Sequence, residues 1–277
     1  CVQVAEQVIR IVLTVLGLTL TLRIGIDYAC AAIIGGGTAA ELCSFLMTYV
    51  LYRIDARRYR TGGKQRDNRG LTKKMLGISI PVAFSAYARS GLVTIEHLLI
   101  PRGLKKSGIS SDTALSAYGI IQGMALPVIL FPSALLTSFA GLIVPELAER
   151  KEQGKTVQIE RIVGRVFQLT LMFAICVSGI FFFFAEDFGL LLYDNADTVQ
   201  FIQILAPLVP VMYLDTAVDG MLKGLGEQVS SMRYNIIDAS VSVLLVWFLL
   251  PRYAIAGYLV TIYVTEMLNA FLSANRL

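Results

Sequence analysis

The chain is poor in the residues on which most enzyme and metal chemistry depends. Its 277 residues include one histidine, His97, so no histidine pair can share a metal ion and no HExxH motif exists. Four cysteines, Cys1, Cys30, Cys43 and Cys176, stand alone in apolar stretches. Their spacing matches neither a zinc site nor a disulfide framework, and they read as small packing residues. No serine or cysteine has the base and orienting partner of a nucleophilic site, so the chain does not read as an enzyme. Charge is scarce too. Asp, Glu, Lys and Arg make up 16% of the residues, where a soluble domain carries about a quarter. The hydrophobic share is 56% and the mean hydropathy +0.67. The apolar residues come in long blocks, the pattern of membrane-spanning helices.

About eight spans are expected, over residues 4–22, 29–52, 75–100, 114–144, 162–184, 199–222, 231–250 and 254–272. Each holds the roughly 20 mostly apolar residues that cross a bilayer, and the longer ones must tilt, kink or extend beyond the lipid. Pro81, Pro127, Pro132, Pro207 and Pro210 fall inside spans, where neighbours can satisfy the carbonyl that a proline frees. Gly35, Gly36 and Gly37 interrupt the second span. They read as a close-packing or bending point, because no strand precedes them and no Gly-Lys-Ser/Thr follows. The chain begins with Cys1 rather than Met and reads as a piece of a longer protein with no signal peptide.

The connections set an expected orientation. "RIDARRYRTGGKQRDNRGLTKK", residues 53–74, carries nine Lys or Arg against Asp55 and Asp67. A basic run between two spans reads as a cytoplasmic loop, not as a nucleic-acid surface. Alternation then places 16 basic residues inside and five outside, the five being Arg23, Arg102, Lys105, Lys106 and Arg252. "EDFGLLLYDNAD", residues 186–197, falls outside and has no basic residue. Both ends of the chain fall on the cytoplasmic side.

Several charges interrupt the spans. A charge at mid-bilayer costs about 2.5–3.5 kcal/mol on insertion scales, so each needs a polar surrounding. Arg89 is mid-span, too deep to reach the interface, with Tyr87 and Ser90 as nearby hydroxyls. Glu96 lies seven residues on, nearly on the same helix face and about 10.5 Å along the axis. That separation is too long for a direct ion pair but suits two groups lining one cavity. Glu6 and Arg10 form an i,i+4 pair, as do Asp215 and Asp219; Glu41 and Glu266 are mid-span, and Asn235 and Asp238 are three apart. Each also has a plainer reading, as an internal ion pair or a group at the wet interface. His97, toward the outer end of its span, reads as an interfacial hydrogen-bonding residue rather than a proton switch.

Three stretches carry a resemblance: "RSGLVTIEHLLIPRGL", "AYGIIQGMALPVILFPSALLTSFAGLIVPELAE" and "LAPLVPVMYLDTAVDGMLKGLGEQ". With them the chain resembles the polysaccharide-transporter branch of the multidrug/oligosaccharidyl-lipid/polysaccharide (MOP) exporter superfamily, nearest its stage V sporulation protein B-like group. The run from Pro127 through Pro132 to Glu149 is the most specific part. The resemblance implies an all-α integral membrane transporter of MATE-like fold, built of two six-helix lobes. On that plan residues 1–52 hold the last two helices of a truncated first lobe, 53–74 the inter-lobe linker, and 75–277 a complete second lobe. It also implies a place in the bacterial cytoplasmic membrane, in polysaccharide biosynthesis and the cell envelope, and a flippase that moves lipid-linked oligosaccharide precursors.

Such cargo carries a phosphate or pyrophosphate, which guanidinium binds with forked hydrogen bonds. The implied substrate-binding set is Arg89, Arg10, Tyr87, Ser90 and Glu41. Glu96, Asp215, Asn235, Asp238 and Glu266 are the implied ion-coupling set, with Thr261 and Thr265 as further oxygen donors. No cofactor is expected beyond Na+ or H+ as coupling ion, and no nucleic acid or bound metal. The rival readings are a multidrug antiporter of the same superfamily, disfavoured by Arg89, a non-transporting scaffold of envelope or spore assembly, and a membrane glycosyltransferase, for which no loop is long enough.

Overall fold

Apolar blocks of this length fold as helices because hydrocarbon offers the backbone no hydrogen-bond partner. The computed structural model describes residues 2–21, 25–58, 69–108 and 110–277, and among these every regular element is helical. The chain divides into two compact units, Cys1–Arg69 and Gly70–Leu277.

The first unit is a helical hairpin of α1 (Val2–Thr21) and α2 (Ile26–Arg58). Its pairings run antiparallel: Arg10 bonds Glu41, Gly36 meets Thr14, and Gly17 meets Ala32. A Cβ at Gly36 would lie 3.3 Å from the Thr14 backbone nitrogen, and one at Gly17 only 3.0 Å from the Ala32 Cβ. Gly35 and Gly37 meet nothing within 4 Å, so the middle glycine of the triplet makes the close approach. Residues 59–68, within the expected basic linker, lie outside the described residues.

The second unit opens with α3 (Arg69–Lys106). Next comes a kinked rod of α4 (Ser111–Ile120), a π-helical turn (Ile121–Ala125), α5 (Leu126–Leu130) and α6 (Ser133–Glu152). Phe131 and Pro132 keep right-handed helical angles, so the rod continues through them well past the expected end at residue 144. α7 (Thr156–Phe183) follows. Residues 186–197, which the hydropathy pattern leaves as a bare connection, instead belong mostly to α8 (Ala185–Tyr193). Asp194 ends α8 in the left-handed region (φ 49°), and Asn195 caps α9 (Ala196–Leu205) by accepting from the Asp197 and Thr198 amides. A 3₁₀ turn, Ala206–Leu208, leads into α10 (Val209–Gly224).

The last element, α11 (Gln228–Ala274), covers both final expected spans. Ala254 breaks it, at φ 52° and ψ −129°, into arms 228–253 and 255–274. The arms fold back on each other. Gly257 packs where a Cβ would lie 2.8 Å from the Leu249 carbonyl oxygen, and Arg276 bonds Glu227 at the open end. Six helices among the described residues are long and apolar enough to cross a membrane. Counting the two arms of α11 separately and adding α3, which holds Arg89 and Glu96, gives the eight expected rods.

α10 is the central rod, packed on α6, α7 and α11. Gly220 and Gly224, four apart, admit α6 closely: a Cβ at Gly220 would lie 2.6 Å from the Ala140 Cβ. Pro210 has no N–H to give the Ala206 carbonyl. That carbonyl instead accepts from the Val209 N–H of the 3₁₀ turn and, at 2.8 Å, from the Ser178 hydroxyl of α7. Outward, Phe131, Phe183 and Leu191 are 80% or more exposed, which suits a lipid surround rather than water.

Candidate functional site

Polar residues recur at helical spacing on the inner faces of the second unit. On α3, Ser85, Ala86, Arg89, Val93, Glu96 and His97 share one face. On α10 the polar face is Asp215, Thr216, Asp219 and Lys223. The first arm of α11 adds Ser231, Asn235, Asp238 and Ser242, and its second arm Tyr258, Thr261, Thr265 and Glu266. Gln122 enters from the π-helical turn.

These faces enclose two cavities that meet at Arg89. The first, about 340 Å³, is lined by Ser85, Arg89, Asp215, Asp219, Lys223 and Asn235, among others. The second, about 300 Å³, is lined by Arg89, Glu96, His97, Asp238, Tyr258 and Glu266, among others. Arg89 makes no hydrogen bond and no ion pair within 4.0 Å with any described residue. Its guanidinium is therefore available, in a groove of five carboxylates and one other cation, Lys223.

Hydrogen bonds fix much of the lining. Lys223 Nζ lies 2.6 Å from Asp219 Oδ2, and the Ser231 hydroxyl donates to Asp219 Oδ1. Asn269 Nδ2 donates to Asp215 Oδ2 at 2.9 Å. Asp215 lies beside the Ser273 hydroxyl, yet its Oδ1 is buried with no hydrogen bond of good geometry, and Asp238 Oδ1 is likewise buried without one. Buried acceptors are nearly always satisfied, so these two oxygens mark where a donor or cation is favoured. Gln122 Nε2 donates to the Tyr258 hydroxyl at 2.5 Å, and His97 Nδ1 bonds the Tyr118 hydroxyl. Thr261 and Thr265 donate to the Gly257 and Thr261 carbonyls, which leaves their lone pairs as acceptors.

The expected residues divide into three groups. Arg89, Glu96, Asp215, Asn235, Asp238 and Glu266 come together around the two cavities. Tyr87 and Ser90 line neither; Tyr87 is 78% exposed. Offsets of two and one residues rotate a side chain by about 200° and 100° from Arg89, onto other faces. Arg10 and Glu41 lie in the first unit, where Arg10 bonds Glu6 at 3.2 Å and Glu41 at 3.3 Å. Two carboxylates already neutralise Arg10.

Asp219, Lys223, Ser231, Gln122 and Tyr258 join the groove without having been assigned to it from the sequence, and Asn269 holds Asp215 from behind its lining. The sequence does carry a signal for two of them, since Asp215, Asp219 and Lys223 are spaced by four. The others need the fold.

The MatE family model matches residues 106–248, from the end of α3 into the first arm of α11. Stage V sporulation protein B of Bacillus subtilis (strain 168) is 26% identical over 254 residues, covering 90% of this chain and 49% of the relative. Sporulation protein YkvU of the same organism is 23% identical over 186 residues, covering 66% and 42%. The chain thus spans about half the length of the curated relatives it matches. No solved structure gives a significant match. With the family match covering more than half its length, and with a helical fold lined by polar faces, the chain belongs to the MatE family of the MOP exporter superfamily.

Proposed function

We propose that the full-length protein moves lipid-linked oligosaccharide or polysaccharide precursors across the bacterial cytoplasmic membrane by alternating access, with Arg89 receiving the phosphate or pyrophosphate of the cargo. The observation that supports this reading is the free Arg89 guanidinium at the junction of two polar cavities. A planar fork of donors fits phosphate oxygens. Arg10, already held by two carboxylates, is a weaker candidate for the same task.

Glu96, Asp215, Asp238 and Glu266, with Asn235, Thr261 and Thr265, take the coupling ion in this reading. No group of three or more His, Cys, Asp or Glu among the described residues could hold a metal ion, so Na+ would rest on one or two carboxylates and neutral oxygens. H+ would bind a carboxylate directly. Either ion makes the groove less negative and lets an anionic headgroup approach Arg89.

A cation antiporter of the same superfamily is the second reading, favoured by the excess of carboxylates over Arg89 and Lys223. One experiment separates the two: translocation of a lipid-linked oligosaccharide in vesicles by the full-length protein, wild type against Arg89→Ala. Loss of transport with normal membrane insertion supports the flippase reading. Unchanged transport overturns the role of Arg89. Export of organic cations but of no lipid-linked cargo by the wild type selects the antiporter.

A further inference from the structure

A further cavity lies apart from the Arg89 groove. It measures about 650 Å³ and lies where the last turns of α3 meet the first arm of α11 near the Ala254 break. Arg102, Lys105 and Lys106 line it from α3; Val246, Trp247 and Pro251 line it from α11. A close approach holds the two helices together here, since a Cβ at Gly103 would lie 2.9 Å from the Leu250 Cβ. Ile100, Leu104 and Leu250 are fully buried beneath it.

Three features point to one ligand chemistry. First, Arg102, Lys105 and Lys106 form no ion pair within 4.0 Å with a described residue. The C-terminal end of α3 carries about half a negative charge from its dipole, which three cations outweigh. Second, Trp247, the chain's one tryptophan, stands beside them, with Lys106 Nζ 5.6 Å from the ring centroid. Tryptophan favours the membrane–water interface. Third, the neighbouring Leu98, Leu244 and Phe248 are exposed and apolar. A soluble anion has no use for such a flank, whereas a lipid tail does. Four of the five basic residues that charge alternation assigns to the outer side gather here, because Arg252 directly follows the lining residue Pro251.

We propose that this cavity binds the headgroup phosphate of an anionic membrane lipid, with Arg102, Lys105 and Lys106 on the phosphate and Trp247 against the start of the chains. The site is separate from the Arg89 groove and does not depend on the transport reading.

Lipid binding to the purified full-length protein, followed by native mass spectrometry, tests it. The probes are dioleoyl phosphatidylglycerol, dioleoyl phosphatidylcholine and inorganic pyrophosphate. The comparison is wild type against the triple variant R102Q/K105Q/K106Q. Each basic residue near an anionic headgroup is worth about fivefold in affinity, so the triple variant should bind phosphatidylglycerol roughly a hundredfold more weakly. The charge-preserving variant R102K/K105R/K106R should bind like wild type, which separates lost charge from a misfolded helix end. Pyrophosphate should compete with phosphatidylglycerol. Equal binding of phosphatidylglycerol and phosphatidylcholine, or an undiminished triple variant, overturns the proposal. Binding of pyrophosphate without binding of phosphatidylglycerol overturns its lipid part.

Discussion

Arg276 Nη2 lies 3.0 Å from Glu227 Oε2, though 49 residues separate them. The pair closes the open end of the α11 hairpin and is solvent-accessible. Ser230 also donates to Oε2, at 2.8 Å. The Ser230 hydrogen bond, and then Arg276, hold the Glu227 carboxyl below the usual glutamate range. A lowered folded-state pKa means stability that is present above the unfolded value and lost as pH falls through the folded value. Glu227→Gln should therefore lower the melting temperature of the full-length protein at neutral pH. The gap to wild type should close as pH falls below about 4, the unperturbed glutamate range. A melting difference independent of pH would refute this account of the clasp.

Asp238 faces Arg89 across the second cavity with one buried, unpartnered oxygen. Asp238→Asn keeps the shape and removes the charge. It should weaken the dependence of transport on an ion gradient while leaving or raising affinity for an anionic headgroup. Transport rates with and without imposed Na+ and H+ gradients measure the first effect, and headgroup binding the second. An unaltered gradient dependence in both Asp238→Asn and Glu266→Gln would remove these two carboxylates from coupling.

Ser178 donates to the Ala206 carbonyl, which also accepts the Val209 N–H. Ser178→Ala removes one of the two bonds to this buried carbonyl and should cost about 0.5–1.5 kcal/mol. The double variant Ser178→Ala with Pro210→Ala restores a backbone donor and should recover part of the loss. Denaturation of the full-length protein in detergent reads both.

Two glycines give opposite expectations for one chemical change. Gly257→Ala drives a methyl toward the Leu249 backbone, which cannot rotate away, and should destabilise by about 1–3 kcal/mol. Gly119→Ala meets nothing within 4 Å and should be neutral or stabilise by up to about 1 kcal/mol through helix propensity. Melting temperatures rank the two directly.

The spans were legible in the sequence because hydropathy and length decide them, and the shared face of Arg89 and Glu96 followed from a spacing of seven. What escaped is informative. Tyr87 and Ser90 are near Arg89 in sequence, but helical rotation turns them away. The rod beyond residue 144 was hidden because charges near Glu146 and Glu149 mark the end of apolarity, not the end of helix. α8 was hidden because nine residues are too few for a span and its acidic first turn resembles a loop. Gln122 and Tyr258, 136 residues apart, meet only through packing of the π-helical turn against α11.

Among the described residues of α3, burial is confined to Ile100, Gly103 and Leu104; toward Arg89 they are half-buried or exposed. Fourteen residues separate Gly103 from Arg89, which makes a lever arm of about 21 Å. A tilt of about 10° at that fulcrum carries the guanidinium about 4 Å, more than the length of a hydrogen bond. The Arg89 guanidinium thus rides on a helix packed at one end, and a small angular change at Gly103 and Leu250 is enough to shift it by more than a hydrogen-bond length.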